Sequence, residues 1–246
     1  MRTTKIEWTE RTWNPVTGCS KVSEGCRHCY AESMTRRLFA MGNNKYRNNF
    51  VPTEHPEDLQ EPYRWKKPST VFVCSMSDIF NEKISFDFID KIFAVIRDTP
   101  QHTYQILTKR AKRMAEYFKD KEIPYNAWIG VTVENRQALS RIDSIRALNA
   151  KVKFLSCEPL LEDLGEMNLD GINWIIVGGE SGVSARPMDE KWVLNIKAQA
   201  YAHKIPFFFK QWGTWGQDGI KRNKKVNGKL LQGAIVQELP RFPLIK

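Results

Sequence analysis

The chain has no long hydrophobic run, no internal repeat and few histidines. No apolar stretch approaches the roughly 18–20 residues that a transmembrane helix needs, and the N-terminal residues lack the apolar segment of a secretory signal. We therefore expect a cytosolic protein, in which thiols stay reduced. The histidines form neither a catalytic triad nor a metal-spaced pair, so His55, His102 and His203 are expected to be structural or solvated.

The composition predicts a folded and basic protein. Hydrophobic residues make up 41% of the 246 residues, which is enough for the core of one sizeable domain. Lys and Arg exceed Asp and Glu by 38 − 28 = 10, and this balance favours polyanionic partners such as DNA, RNA or nucleotides. An ordinary solvated basic surface would explain the same charge. Part of the charge is concentrated late in the chain, at Lys221, Arg222, Lys224, Lys225 and Lys229.

Three of the five cysteines lie close together, at Cys19, Cys26 and Cys29. Three soft thiolates on one loop suit an iron–sulfur cluster in which one iron is left open for another ligand. A structural zinc site would need a fourth ligand, such as His28 or Cys157, and no second cysteine pair is present. A thiol redox role would use only Cys26 and Cys29 and would leave Cys19 idle.

Apolar runs of strand length alternate with amphipathic segments from residue 70 onward. Nearly continuous apolar runs are typical of parallel strands that are covered on both faces. We predict strands at residues 71–74, 104–107, 128–133, 152–155, 174–177 and 206–209, and helices at 30–38, 86–97, 111–118, 136–148 and 190–203. Another strand is expected before Cys19. Repeated strand–helix units predict an α/β fold with right-handed crossovers, as a parallel sheet or a barrel.

Charged or polar residues follow each of the six predicted strands. These strand ends carry Asp78, Lys109, Glu134, Glu158, Glu180 and Lys210. Because the carboxyl ends of parallel strands form one rim, we expect a convergent polar site there. The cations at the rim, including Arg110, would either neutralise a bound carboxylate or phosphate or pair with the neighbouring acids.

Two stretches fall outside the alternation. Residues 43–67 are polar and contain three prolines, and we predict a long excursion that acts as a lid or a substrate-facing loop. Residues 1–213 are expected to form the main domain. Residues 214–246 are expected to form a basic C-terminal extension with a hairpin around Asn227-Gly228.

A three-cysteine loop followed by alternating β/α units resembles the radical S-adenosylmethionine (SAM) superfamily. The spacing here is C-x6-C-x2-C where that superfamily usually has C-x3-C-x2-C, and His28 replaces the usual aromatic residue before the third cysteine. A closer resemblance, to a phage- and prophage-associated family of unknown function, covers nearly the whole chain. The segments that carry it are Ile6-Glu7-Trp8-Thr9, Thr12-Trp13-Asn14-Pro15-Val16-Thr17-Gly18-Cys19, Ser75-Met76-Ser77-Asp78, Gln105-Ile106-Leu107-Thr108-Lys109-Arg110, Phe154-Leu155-Ser156-Cys157-Glu158-Pro159, Val177-Gly178-Gly179-Glu180-Ser181-Gly182 and Phe208-Phe209-Lys210-Gln211-Trp212-Gly213.

The resemblance implies a partial (β/α)6-type parallel barrel of the radical SAM kind. It implies that Cys19, Cys26 and Cys29 hold a [4Fe-4S] cluster and that the fourth iron binds SAM. The cofactor-binding residues would then be His28, Tyr30, Ser75, Ser77, Asp78, Thr132, Glu134, Gly178, Gly179 and Glu180, and the catalytic residues would be Lys109, Cys157 and Glu158.

The reaction implied by the resemblance is reductive cleavage of SAM, after which a 5′-deoxyadenosyl radical abstracts a hydrogen from a nucleic acid or nucleotide-like substrate. Such an enzyme would modify or repair phage DNA or RNA and would take its electron from a donor such as flavodoxin or ferredoxin. The alternative is a non-catalytic, metal-stabilised phage protein that binds nucleic acid.

Overall fold

The computed structural model describes residue 4 and residues 6–240. The strands are β1 (Arg11–Trp13), β2 (Val16–Thr17), β3 (Thr53–Glu54), β4 (Thr70–Val73), β5 (Thr103–Thr108), β6 (Ala127–Thr132), β7 (Val152–Cys157), β8 (Trp174–Gly178), β9 (Phe207–Gln211), β10 (Leu230–Leu231) and β11 (Ala234–Ile235). The α-helices are α1 (Tyr30–Ala40), α2 (Phe86–Asp98), α3 (Ala111–Tyr117), α4 (Ser140–Arg146), α5 (Glu190–Ala202) and α6 (Lys224–Asn227), with short 3-10 helices at Glu24–Cys26, Asn44–Tyr46, Pro56–Gln60, Pro62–Arg64 and Arg136–Ala138. No helix in the described residues is long and apolar enough to cross a membrane.

Seven strands form one parallel sheet in the order β1-β4-β5-β6-β7-β8-β9. Every neighbouring pair in this sheet is parallel, and helices α2 to α5 lie in the connections between successive strands. The predicted α/β partial barrel is therefore confirmed, and β1 is the strand expected before Cys19. The predicted helix at 136–148 is shorter, because Asn135 caps a 3-10 turn before α4 begins.

Alternate residues of the strands pack into two separate layers. Side chains such as Val71, Ile129 and Val177 join the large core between the sheet and the helices. The opposite face carries a second apolar cluster, which consists of Trp8, Phe72, Phe154, Trp174, Ile176 and Phe208. We call this face the inner face.

The sheet curls around the inner face. The Trp8 ring lies 4.7 Å from Phe72 on β4 and 6.1 Å from Trp174 on β8, measured between ring centroids. Three strands separate β4 from β8 in the sheet order, so one indole can touch both only if the sheet bends around it. The aromatic cluster thus fills the inner face near the amino ends of the strands.

Gly130 leaves room for an aromatic ring on the inner face. A Cβ atom at this position would lie 2.3 Å from the Phe154 ring, well inside van der Waals contact. We expect Gly130→Ala to lower the free energy of unfolding by about 1–3 kcal/mol, because the core would be overpacked. Urea denaturation measures this loss. In the double variant with Phe154→Leu the two losses should not add, and full additivity would contradict the proposed collision.

Residues 43–67 are tied to strands β1 and β2. Strand β3 pairs antiparallel with β2, the Trp13 indole Nε1 donates to the Asp58 carbonyl at 2.8 Å, and His55 Nε2 hydrogen-bonds the Thr17 hydroxyl at 2.7 Å. His55 is therefore structural, as expected. These contacts give the segment a bracing role next to the cysteine loop, which the sequence did not indicate.

The C-terminal hairpin is not where the sequence placed it. Asn223 caps the helical turn α6, which ends at Gly228, and the hairpin of β10 and β11 follows with its turn at Gln232 and Gly233. The prediction of a hairpin around residues 227–228 was wrong because the Asn-Gly pair ends a helical turn. The last six residues of the predicted extension lie outside the described part of the chain.

Candidate functional site

The three cysteines lie on the segment between β2 and α1, which we call the cysteine loop (residues 18–29). All three are free thiols and half-buried. Gly18 opens the loop with a φ of +75°, and a Cβ atom there would lie 2.2 Å from the Val51 carbonyl oxygen. Only glycine tolerates both the positive φ and this short distance, so the loop begins in close contact with residues 43–67.

The turn after β4 fastens the start of the cysteine loop. The Ser77 hydroxyl donates to the Gly18 carbonyl, the Gly18 amide donates to the Met76 carbonyl at 3.1 Å, and the Tyr30 hydroxyl donates to the Ser75 carbonyl. The Ser75 hydroxyl donates to Asn14 Oδ1 at 3.1 Å. Ser75, Ser77 and Tyr30 thus brace the loop, and these contacts do not test their predicted role in binding a cofactor.

A buried ion pair lies beneath Cys19. Arg110 donates from Nη1 to Asp78 at 3.1 Å and to the Cys19 sulfur at 3.5 Å, and from Nη2 to the Ser20 carbonyl and hydroxyl. Asn81 Nδ2 lies 3.8 Å from the same sulfur. Of the two roles open to Arg110, ion pairing is the one observed.

The Asp78 carboxylate already has a full set of donors. It accepts hydrogen bonds from the Thr108 hydroxyl at 2.8 Å and the Lys109 amide at 3.1 Å, besides Arg110. Its side chain is 9% exposed. Asp78 therefore positions the strand ends beneath the cysteine loop, and its predicted contact with the cofactor stays a prediction.

The cation beneath Cys19 only partly offsets the effect of burial on the thiol. Burial raises the pKa of Cys19 and the nearby Asp78 carboxylate raises it further, while Arg110 lowers it. The net direction is upward, so the thiol is protonated at neutral pH. Binding a metal ion would displace that proton.

Glu134 joins the middle of the cysteine loop to the end of β6. The Ser23 hydroxyl donates to its carboxylate, and a Cβ atom on Gly25 would lie 3.0 Å from the same side chain. Arg141 on α4 donates to Glu134 from the other side at 2.7 Å. Burial alone would raise the pKa of this carboxyl, but the charges of Lys109 and Arg141 outweigh it and the pKa is lowered. Glu134 is therefore a buried, ionised acid beneath the loop.

Glu180 and Arg186 make a third attachment. Arg186 donates to both oxygens of the Glu180 carboxylate, at 2.9 and 2.7 Å, and to the Glu24 carbonyl of the loop at 3.0 Å. His28 Nδ1 lies 3.4 Å from Glu180. Sequence reasoning missed Arg186, because nothing in the chain marks it as a partner of the loop.

The ion pair of Glu180 predicts a pH-dependent stability. Burial would raise the pKa of Glu180, but hydrogen bonds from Arg186 lower it, so the pair stabilises the fold above the ordinary carboxyl pKa of about 4.3 and this stabilisation is lost as the pH falls through the lowered value. We expect Glu180→Gln to lower the free energy of unfolding by about 1.5–3 kcal/mol at pH 7. Urea denaturation measures the free energy of unfolding of both proteins. The difference between Glu180→Gln and the unmodified protein should shrink as the pH falls from 7 to 3.

A matched control for this prediction is Glu24→Gln, at the other acid that contacts Arg186. The Glu24 side chain is 58% exposed, so its substitution should change stability by less than about 1 kcal/mol at any pH. A loss in Glu180→Gln that stays constant down to pH 3 would contradict the expected ion pair.

Glu158 and Lys210 face each other at the ends of β7 and β9. The Lys210 ammonium donates to Glu158 Oε2 at 2.5 Å, while Glu158 Oε1 is buried without a hydrogen-bond partner in the described residues. Gly178 lies between them, since a Cβ atom there would be 3.4 Å from Glu158 and 3.5 Å from Lys210. An unpaired buried carboxylate oxygen is an acceptor for the donor group of a ligand.

Gly179 has a packing role. A Cβ atom at this position would lie 1.9 Å from the Trp212 carbonyl oxygen, and the Gly179 amide donates to the Gln211 carbonyl at 3.0 Å. Of the two explanations open to the Gly-Gly turn, a tight strand connection accounts for Gly179. The close approach to a ligand remains a prediction for Gly178 and Gly179.

Cys157 does not belong to the site. Its side chain is fully buried in the core between the sheet and the helices, and burial raises the pKa of its thiol far above the ordinary value. Because successive side chains of a strand point to opposite faces, Cys157 points away from the face that carries Glu158. We therefore remove Cys157 from the candidate catalytic residues.

The structure brings together most of the predicted rim. Lys109, Thr132, Glu134, Glu158 and Lys210 follow inward-facing positions at the carboxyl ends of their strands. Lys109 makes no side-chain ion pair or hydrogen bond within residues 6–240, and Thr132 is buried with its carbonyl accepting from Arg141 at 2.7 Å. In the described residues, however, no three Cys, His, Asp or Glu side chains converge as metal ligands.

The donor set nevertheless fits a thiolate-bound cluster in its chemistry. The three cysteines are free and partly accessible, and hydrogen-bond donors approach Cys19 from Arg110 and Asn81. The Ser23 hydroxyl lies 3.7 Å from the Cys26 sulfur. Hydrogen bonds to cluster sulfurs are a common feature of iron–sulfur sites. The three thiols would have to move closer together to share one cluster.

A family described as "Protein of unknown function (DUF5131)" matches residues 3–240. No curated protein matches the sequence. Among solved structures, a variant of spore photoproduct lyase with bound AdoMet and dinucleoside spore photoproduct aligns at 12% identity and a TM-score of 0.44, over 80% of this chain and 64% of that chain. Spore photoproduct lyase complexed with dinucleoside spore photoproduct aligns at 12% identity and a TM-score of 0.42 over the same shares. The chain spans less than two thirds of the length of these lyases.

Proposed function

The chain belongs to the DUF5131 family of proteins of unknown function, and we propose that it is a radical SAM enzyme that acts on a nucleic acid or nucleotide-like substrate. The observation that carries the proposal is the position of the three-cysteine loop. It lies over the carboxyl ends of a curled parallel sheet, attached to β4 through Ser77, to β6 through Glu134 and to β8 through Glu180. This rim is where α/β folds build their sites.

In the proposal Cys19, Cys26 and Cys29 hold a [4Fe-4S] cluster. When bound, the cluster would supply the electron that cleaves SAM to methionine and a 5′-deoxyadenosyl radical, which takes a hydrogen from the substrate. The residues of the chain would bind and orient the reactants and keep water away from them. Arg110, Glu134 and Arg186 would hold the loop in place during this process.

Two rim residues, Glu158 and Lys109, have side-chain groups that could bind the amine and the carboxylate of one ligand. Glu158 Oε1 is a buried acceptor without a partner in the described residues and would receive a hydrogen bond from an ammonium or hydroxyl group. Lys109, which pairs with no acid within residues 6–240, would bind a carboxylate. We propose that both residues bind SAM or substrate. The sequence analysis had predicted a catalytic role for them.

Anaerobic reconstitution with iron and sulfide tests this function. We expect a brown protein with about four irons per chain that produces 5′-deoxyadenosine from SAM in the presence of a chemical reductant. A protein that instead purifies with one tetrahedral zinc and binds nucleic acid without cleaving SAM would support the non-catalytic alternative. A thiol redox protein would need Cys26 and Cys29 but tolerate Cys19→Ala.

The remaining parts of the proposal concern the setting of the reaction. We propose a cytosolic protein that receives its electron from a flavodoxin or ferredoxin, and an association with phages. A flavodoxin that replaces the chemical reductant in the 5′-deoxyadenosine assay would support the first of these.

A further inference from the structure

A cavity lies beside the rim, between the start of α3 and the residues Ser140, Arg141 and Ser144 of α4. This cleft has a volume of about 320 Å³. One wall is formed by Lys109, Arg110, Lys112 and Arg113, and the other includes Arg141 and Ser144. Five cations therefore line one cleft.

Only part of this positive charge is used within the protein. Arg110 pairs with Asp78 and Glu82, and Arg141 pairs with Glu134. Glu82 is the acid that lines the cleft, and both its oxygens already accept from Arg110. Lys109 and Lys112 make no ion pair within residues 6–240. The charge of Lys109 acts on Glu134 at longer range, and the charge of Lys112 faces the cleft without a partner acid in these residues.

Arg113 is held in the wall by contacts that leave its charge unneutralised. Its Nη2 donates to the Ile84 carbonyl at 2.6 Å, and its guanidinium lies 4.4 Å from the centre of the Phe86 ring. The Nε atom is buried without a hydrogen-bond partner in the described residues. Neither contact supplies an anion, so a ligand with several anionic oxygens fits this wall.

The cleft adjoins the proposed reaction site. Val22, which lies between Cys19 and Cys26, forms part of its lining. Lys109 follows the end of β5 and belongs to both the cleft and the rim. A chain of anionic groups seated in the cleft would therefore pass next to the cysteine loop.

We propose that the cleft between α3 and α4 binds the phosphodiester backbone of a nucleic acid strand and holds the strand against the cysteine loop. Lys112 and Arg113 bind phosphate oxygens. This inference rests on the proposed function, because it names the place where a nucleic-acid substrate is held. Binding is electrostatic and independent of base sequence.

Fluorescence anisotropy with a labelled single strand of about 12 nucleotides tests the cleft. The variant Lys112→Glu/Ser144→Glu places two carboxylates in the cleft and changes the net charge by −3. The matched control Asn149→Glu/Lys151→Glu makes the same change at exposed residues that precede β7, at the amino end of the sheet. We expect at least tenfold weaker binding by the cleft variant and less than twofold by the control. The slope of log Kd against log salt concentration should fall by about 0.7 for each phosphate that the variant no longer binds.

The competitors identify the ligand. DNA and RNA strands of the same length separate the two polymers, and inorganic phosphate or a mononucleotide that competes as well as a strand would overturn the assignment to a backbone. Equal weakening in the cleft variant and the control would also overturn it, because binding would then follow net charge alone. Lys112→Ala, at an exposed position, serves as the milder variant should the double variant unfold. Since binding is measured without iron or SAM, a chain that binds strands but makes no 5′-deoxyadenosine separates failure of the proposed chemistry from failure of the cleft.

Discussion

Cys26→Ala is expected to abolish assembly of the iron–sulfur cluster. If the three thiolates of the cysteine loop are the cluster's protein ligands, loss of any one leaves too few, and the iron content after anaerobic reconstitution should fall from about four per chain to below one. The 5′-deoxyadenosine assay should fall to background together with the iron. Cys19→Ala and Cys29→Ala should behave in the same way.

The chain provides its own control in Cys157. This thiol is buried in the core and points away from the rim, so Cys157→Ala should keep full iron and sulfide content and lose only some stability. If the three loop variants retain their iron, or if Cys157→Ala loses as much as they do, the cluster is not bound where we propose. Iron and sulfide analysis alone decides between these outcomes, without reference to the substrate.

Arg110→Met should cause the largest loss of stability of any substitution considered. It would leave the buried carboxylate of Asp78 without a counter-charge, and breaking a buried pair by removing one partner costs about 3–5 kcal/mol. For a chain of this size such a loss lowers the melting temperature by roughly 6–20 °C. Arg110 also holds Cys19 and Ser20, so the variant should assemble less cluster even where it stays folded.

Two further variants make this prediction specific. In Arg110→Met/Asp78→Asn the uncompensated charge is removed, so the double variant should lose less than the sum of the single losses. Arg36→Met removes an arginine whose side chain is 73% exposed and pairs with Glu32, and it should change stability by less than about 1 kcal/mol. An Arg110→Met protein as stable as Arg36→Met would show that the pair with Asp78 contributes little.

The sheet and the rim could be predicted from the sequence because both follow from local patterns. Continuous apolar runs marked the strands after residue 70, and the polar residues that follow them mark the rim. The same alternation, applied within β7, would have excluded Cys157: if Glu158 faces inward, its neighbour faces the helices. The sequence analysis treated each strand end as one set of residues and did not separate the two faces of the strand. It therefore placed both Cys157 and Glu158 in the site.

The partners of the cysteine loop could not be predicted, because they are set by contacts between distant segments. Arg186 reaches Glu24 across 162 positions, and Ser23 reaches Glu134 across 111. No periodicity links such residues, and each is an ordinary polar residue in its own segment. The hydrogen bonds of residues 43–67 to Trp13 and Thr17 could not be predicted for the same reason, and the role of these residues as a lid or a substrate-facing loop stays a prediction.

The aromatic cluster around Trp8 has a consequence for turnover. Because it fills the amino end of the inner face, that end is closed to reactants, and we expect reactants and products to enter and leave on the side of the rim. A spent product would then occupy the path of the next reactant. Product inhibition should accordingly be competitive with substrate, and release would be a natural point of control over the rate of the whole cycle.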